Sequence, residues 1–376
     1  MPYLDNNATT QPLPEVVDAV RTALTEHWHN PSSVHRPGQA ARHAVELARA
    51  QLAKLISAKP RELILTNSGT ESIDHAIRGS LAATGKKVVV TTDVEHAAVR
   101  DLCEALGRES IKVRTLPLID GVVDPAPLGD LLASGDVAVV SVQWANNETG
   151  AIMPVKAIHE TCRAHRVAFH CDGTQWIGKL PVSDDGPPCD LLTFSAHKFH
   201  GPKGVGGLWV RRGIGLRPML HGSQELGRHG GTENVPGIVG AGVAAAAAVE
   251  WLAGAHERDR LAALRDRFEA GALAACPDAV VNGPREPRLW NTTNIGFPRL
   301  EAEALLLAFS EQGLAASAGA ACSSGSLDPS PVLLAMGVAP ATAHGSVRFS
   351  LSRFTTDAEI DEAIGVVEAC VARFVP

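Results

Sequence analysis

The chain has 376 residues, 45% of them hydrophobic and 20% charged, with a formal net charge of -7. That balance belongs to a folded globular protein long enough for more than one core, and it excludes a disordered tail or a fibrous repeat. With its lysines and arginines scattered among acids, the chain presents no basic stripe for a phosphate backbone, so no nucleic acid partner is expected.

The first residues, "MPYLDNNATTQP", lack the positive region and apolar core of a secretory signal. From about residue 60 to residue 210 one unit recurs, a short apolar run that ends in a polar cluster and is followed by a helical pattern. The runs are "ELILT", "KKVVVTT", "IKVRTL", "DVAVVSV", "RVAFHC", "DLLTFS" and "GGLWVRR". Their lack of strict alternation predicts strands buried on both faces, and the helices between them predict parallel pairing. The uncharged tract "GIVGAGVAAAAAV" at 237–249 is too short to span a bilayer and reads as a tightly packed helix. No membrane association is expected. Beyond 256, "ERDRLAALRDRFEAGAL" reads as an amphipathic helix, and the rhythm then changes to shorter elements. The predicted fold is therefore α/β. A large domain over residues 16–255 holds a mostly parallel seven-stranded sheet covered by helices, and a smaller α+β domain takes residues 1–15 and 256–376.

Ligands of such sheets collect beyond the carboxyl ends of the strands. There the sequence delivers "NSGTES", "VEH", "WANNETG", "DGTQ" and "AHK". A lysine at a strand end can form a Schiff base with a carbonyl. The turn into a helix at "SGT", with Gly69 and Thr70, offers amides and a hydroxyl to a phosphate. Asp172 can pair with a protonated pyridine nitrogen and keep its ring an electron sink. Each feature taken singly has a bland reading, as surface cation, turn or structural ion pair. Their order and placement describe a pyridoxal phosphate site.

The motifs "YLDNNATT", "HNPSSVH", "SGTES", "EH", "NNETG", "DGTQ", "SAHKFHGPKGVG", "GGTENV", "ACSSGSLDPS" and "VRFSLSRFTT" follow one another along nearly the whole chain. In this it resembles the cysteine desulfurases of the NifS and IscS type, within the fold-type I pyridoxal phosphate enzymes. The resemblance implies that Lys198 carries the cofactor as a Schiff base, and that Gly69, Thr70, Ser195 and His197 bind its phosphate, with Thr232 reaching in from the second subunit of a homodimer. It implies His96 stacked on the ring, Asp172 on the pyridine nitrogen, and Gln175 on the ring hydroxyl with Asn147 beside it. Arg348 would clamp the substrate carboxylate, assisted by Asn30 and Asn147. Departures from the family pattern fall at Asp74, at Ser223 in "HGSQE" and in the segment "SAGAAC" leading to the thiol, and none replaces the lysine, the aspartate or the thiol.

Seven cysteines without a CxxC pair suit a reducing compartment, and a cytoplasmic location is expected. Cys103, Cys162, Cys171, Cys189, Cys276 and Cys370 sit in apolar or helical patterns and read as small core residues. Cys322, in "SAGAACSSGSLDPS", is set among small residues and is the candidate nucleophile. On this reading L-cysteine becomes L-alanine, its sulfur passing to Cys322 as a persulfide and on to an acceptor such as an iron-sulfur scaffold, with His96 moving protons. Because only a thiolate attacks, activity should fall on the acid side of the Cys322 pKa. An aminotransferase of the same fold, a selenocysteine lyase and a sulfur-carrying scaffold without turnover stay open as alternatives. No metal is expected: the histidines of "HWHNPSSVH", and His159, Cys162 and His165 of "HETCRAH", lack an acidic partner at useful spacing and read as solvated.

Overall fold

The computed structural model of the chain describes residues 1–318 and 328–374. Seven strands form its main sheet. Along the chain these are β1 (Leu63–Thr66), β2 (Val88–Thr92) and β3 (Lys112–Leu116), then, after a hairpin of β4 (Leu118–Ile119) and β5 (Val122–Val123), β6 (Val137–Gln143), β7 (Ala168–Asp172), β8 (Leu191–Ser195) and β9 (Gly206–Val210). Across the sheet the order is β1-β9-β8-β7-β6-β2-β3. β6 and β8 are buried at every position and β7 at all but Ala168, as their unbroken apolar runs require. β3 closes one side with Lys112, Arg114 and Thr115 exposed, charged and polar groups that suit an unpaired edge.

Pairing is parallel from β3 through β8, but β9 runs antiparallel to both β8 and β1. The sheet is mostly parallel, as expected, and the one antiparallel strand has a reason of length. A parallel crossover needs a dozen or more residues and usually a helix, and only residues 196–205 link β8 to β9. β1 runs in the direction of β8, so the ends of β1, β2, β6, β7 and β8 that precede the polar clusters share one edge.

Helices α1 (Pro14–Glu26), α2 (Arg36–Leu55), α3 (Gly69–Thr84), α4 (Ala97–Arg108), α5 (Leu128–Ala133), α6 (Val155–Ala164) and α7 (Val235–Leu252) cover this sheet. The alanine tract lies in α7, which packs against α1 and α2. A Cβ added at Gly242 would stand 2.6 Å from Ala48 Cα, so the small residues let the backbones approach. Among the described residues α7 is the helix long and apolar enough to cross a membrane, and half of it is buried inside the protein.

Beyond it come α8 (Ala255–Ala275), β10 (Val280–Val281), β11 (Thr292–Gly296), α9 (Ala302–Glu311), α10 (Pro331–Ala335), α11 (Pro340–His344), β12 (Ser346–Ser350) and α12 (Asp357–Phe374). β10, β11 and β12 form a second, antiparallel sheet with its own core around Phe268, Phe297, Phe309 and Phe349. The amino-terminal arm joins this sheet, Asp5 bridging to Ser350, before it passes under the end of β8. That crossing ties the two sheets together at one place, and the chemistry-bearing residues gather there.

Candidate active site

The phosphate-binding candidates come together where β1 turns into α3. Ser68 caps α3 by accepting from Glu71 N–H, so the first helical turn begins at Gly69 and Thr70. Gly69 N–H donates to Ser195 Oγ at 2.9 Å, joining the ends of β1 and β8. A Cβ at Gly69 would stand 2.5 Å from that oxygen, which is why the position is glycine. Having accepted this bond, the Ser195 hydroxyl keeps its own hydrogen for an anion. His197 bonds through Nδ1 to Thr9 Oγ1 at 3.1 Å, and burial, aided by Lys198 and Lys203, pushes its pKa down to about 4. Near neutral pH it is a neutral ring with one N–H to donate.

The ring candidates line the neighbouring strand ends. Asp172 closes β7, where its Oδ1 accepts from Thr174 N–H at 3.0 Å and from Thr193 Oγ1 at 3.4 Å, and no donor among the described residues reaches Oδ2. Behind it, His170 bonds Thr193 Oγ1 and Ser141 Oγ, extending the network into the sheet. His96 caps α4, with its Nδ1 accepting from Ala98 N–H at 3.1 Å, which leaves the hydrogen of the neutral ring on Nε2. Burial lowers the His96 pKa, with Asp172 opposing and Lys198 reinforcing the shift. Asn147 Oδ1 is buried without a hydrogen-bond partner among the described residues, an acceptor left over for a ligand.

Lys198 follows β8 in a single turn of 3₁₀ helix, and its Nζ donates to the carbonyls of Asn7 at 2.6 Å and Ala8 at 2.8 Å. The strand ends on a primary amine because the arm supplies two carbonyl oxygens to receive it. Arg348, on β12, is buried and held at both terminal nitrogens, donating to Asn147 O at 3.1 Å and to Asp5 at 2.7 Å. Its fork is oriented before any substrate arrives.

Two residues named from the sequence are not brought into this cluster. Asn30 keeps within its own loop, its side chain accepting from Ser32 N–H. Thr232 is exposed beside Thr66 and Asn67 in a cavity of about 50 Å³. Cys322 lies outside the described residues. The expectation of solvated histidines fails at His159, which is buried and bonds Asp190 at 3.2 Å, tying α6 to the sheet.

Sequence reasoning also missed three residues. Asn7 is the hub of the arm, with Asn147, Lys198, Lys179, Gln175 and Asn291 all bonded to it. Lys179 is buried against Asn7 and Gln175. Glu95 accepts from Gln143 N–H and Thr92 Oγ1, pinning the turn before His96, and burial pushes its pKa up to about 8. Asn7 and Glu95 stand inside motifs the sequence displays; Lys179 carries no such signal.

Burial dictates how stability depends on pH. His75, His170, His197 and His200 are each pushed down to about 4, with burial the leading cause. An unfolded histidine takes its proton near 6.5, so between there and 4 the unfolded chain binds more protons. This contribution is complete above about pH 6.5 and is lost as pH falls toward 4. Glu95 works the other way, its contribution being present below its ordinary pKa and lost as pH rises through about 8. The imidazoles outnumber it. Urea midpoints should therefore drop steeply between about pH 6 and pH 4, and a midpoint that rose on acidification would contradict this balance.

With the geometry in view, the chain can be compared with known proteins. The aminotransferase class-V family profile matches residues 2–363. Cysteine desulfurase 2 of Trichormus variabilis is 46% identical over 376 residues, covering 99% of this chain and 93% of that protein. Cysteine desulfurase NifS of Azotobacter vinelandii is 46% identical over 375 residues, covering 99% and 92%. Among solved structures, a NifS-like protein superimposes with a TM-score of 0.91 at 34% identity over 100% of both chains. SspA in complex with cysteine superimposes with a TM-score of 0.81 at 28% identity, over 95% of this chain and 100% of that one. The strand-end lysine, the aspartate and the phosphate corner thus occur in a chain that matches these proteins along its whole length. The chain belongs to the class V aminotransferase family and, within it, to the cysteine desulfurases.

Proposed function

We propose that this enzyme uses pyridoxal phosphate to convert L-cysteine to L-alanine, passing the sulfur first to Cys322 and then to an acceptor protein such as an iron-sulfur scaffold. We read it as a cytoplasmic homodimer. The observation that carries the reading is the meeting of Lys198 Nζ, the donorless Asp172 Oδ2 and the Gly69–Ser195 corner at one sheet edge. The cofactor supplies, when bound, an electron sink for the carbanion formed at the α-carbon.

This chain's residues do the remainder. Thr70, Ser195 and neutral His197 bind the phosphate, with Thr232 contributed by a second copy. Asp172 Oδ2 accepts from the pyridine nitrogen, His96 covers the ring face, and Gln175 and Asn147 attend the ring hydroxyl. Arg348, aligned by Asp5 and assisted by Asn30 and Asn147, takes the substrate carboxylate as a planar fork. Lys198 Nζ removes the α-proton and His96 moves protons to the leaving carbon.

Cys322 as thiolate then attacks the substrate sulfur. A sulfur–sulfur bond forms as the carbon–sulfur bond breaks, the electron pair stays on the β-carbon, which is protonated, and return of a proton to the α-carbon completes alanine. No outside oxidant is needed, because the carbon is reduced as the sulfur is oxidised. The six cysteines among the described residues support this choice, being buried free thiols. Burial holds Cys103 up at about 11, Cys162 at about 12 and Cys171 well above its ordinary value, so these three are not thiolates near neutral pH.

The test is a single turnover of cofactor-loaded protein with L-cysteine, in which alanine and enzyme-bound persulfide should appear in equal amounts. Amino transfer to an oxo-acid without persulfide would instead identify an aminotransferase of the same fold. Competition between cysteine and selenocysteine decides between the remaining two substrates.

A further inference from the structure

A lysine buried away from any carboxylate is costly and needs a reason. Lys179 is 5% exposed, and its amine donates to two amide oxygens, Asn7 Oδ1 at 2.6 Å and Gln175 Oε1. Among the described residues no carboxylate accepts a hydrogen bond from it. The charges that act on it are those of Lys198 and Arg348, both positive, and burial followed by these two lowers its pKa well below the ordinary value. Surface packing or an ion pair would not place an amine there.

The hydrogen-bond accounting shows what the amine does. Protonated, it has donors only, and both amides turn their oxygens toward it. The rest of the network agrees with that assignment. Asn7 Nδ2 donates to Asn147 O at 3.1 Å and Thr292 Oγ1 at 2.9 Å, and Gln175 Nε2 donates to Asn7 O at 3.0 Å. With its oxygen taken by Lys179, Gln175 can offer the site only its remaining N–H. Asn7, fixed on one side by Lys179, presents on the other the backbone oxygen that receives Lys198.

We infer that Lys179 is a positioning residue, which turns the amide of Gln175 so that it donates to the cofactor's ring hydroxyl and holds Asn7 in place for Lys198. The inference rests on the reading of Gln175 and Lys198 given under the proposed function. Donation to the ring oxygen favours its ionised form, and the colour of the bound cofactor reports that ionisation. Without Lys179 the amide is free to rotate and present its oxygen, and the ionisation moves to higher pH.

The experiment titrates the visible absorption of pyridoxal phosphate-loaded enzyme, wild type against Lys179→Met, a side chain of similar length without a donor. The midpoint should rise by at least about one pH unit, a tenfold change in the ionisation constant. kcat should fall about tenfold while KM for cysteine stays within about threefold, the split expected when positioning and not binding is lost. In a Gln175→Leu background the same substitution should move the midpoint no further, because the two act as one unit. An unmoved midpoint, or shifts that add, would overturn the inference and leave the proposed function standing. Wild-type protein that takes up no cofactor would remove both. Should Lys179→Met fail to fold, a crystal structure of the wild-type holoenzyme decides, since a Gln175 carbonyl facing the ring is equally fatal to the inference.

Discussion

Lys198→Ala is expected to lower alanine formation from cysteine at least about a thousandfold, because the proposed function gives one amine both the cofactor attachment and the base at the α-carbon. Little stability should be lost with it. Lys198 is only half-buried, and of the two carbonyls that receive it, Asn7 O keeps a donor in Gln175 Nε2. Melting and urea midpoints close to wild type, together with loss of the yellow colour of bound cofactor, would separate a chemical role from a structural one. A small primary amine added to the variant should restore part of the rate. A variant that kept wild-type turnover would remove the lysine from the mechanism altogether.

Cys322→Ser should stop sulfur transfer just as completely, with alanine formation down at least about a thousandfold and no protein-bound persulfide. The reason is chemical and not steric, for a hydroxyl is almost the size of a thiol but is neither ionised near neutral pH nor a good nucleophile toward sulfur. Cofactor colour and cysteine binding should survive, since Lys198, Asp172 and Arg348 are untouched. The wild-type rate should fall on the acid side of the Cys322 pKa, and the serine variant should show no such limb. Persulfide found on Cys322→Ser would transfer the role to another thiol, and the burial of the six described cysteines makes each a poor substitute.

Part of the candidate site could be read from the chain alone, because Asp172, His197 and Lys198 stand at the ends of strands whose apolar runs are unmistakable. "LLTFS" must be buried and must stop where His197 and Lys198 begin, and "VAFHC" must stop at Asp172. The same regularity predicts the seven strands of the main sheet and the helices on it. Where the reading failed, a partner distant in sequence was responsible. His159 looks like a surface histidine until Asp190, 31 residues on, is folded against it.

Arg348 and Lys179 show the division most clearly. The sequence determined which residue types stand at the strand ends, because hydrophobic periodicity is local and a break in it is visible within a few residues. Only the tertiary structure decided that Arg348 would be aligned by Asp5, 343 positions away, and that Lys179 would be buried on Asn7, 172 positions away. Nothing near Lys179 in the chain separates it from a solvated surface lysine. Burial and hydrogen-bond satisfaction are properties of the space around a group, and that space comes into being only when the amino-terminal arm crosses beneath the end of β8.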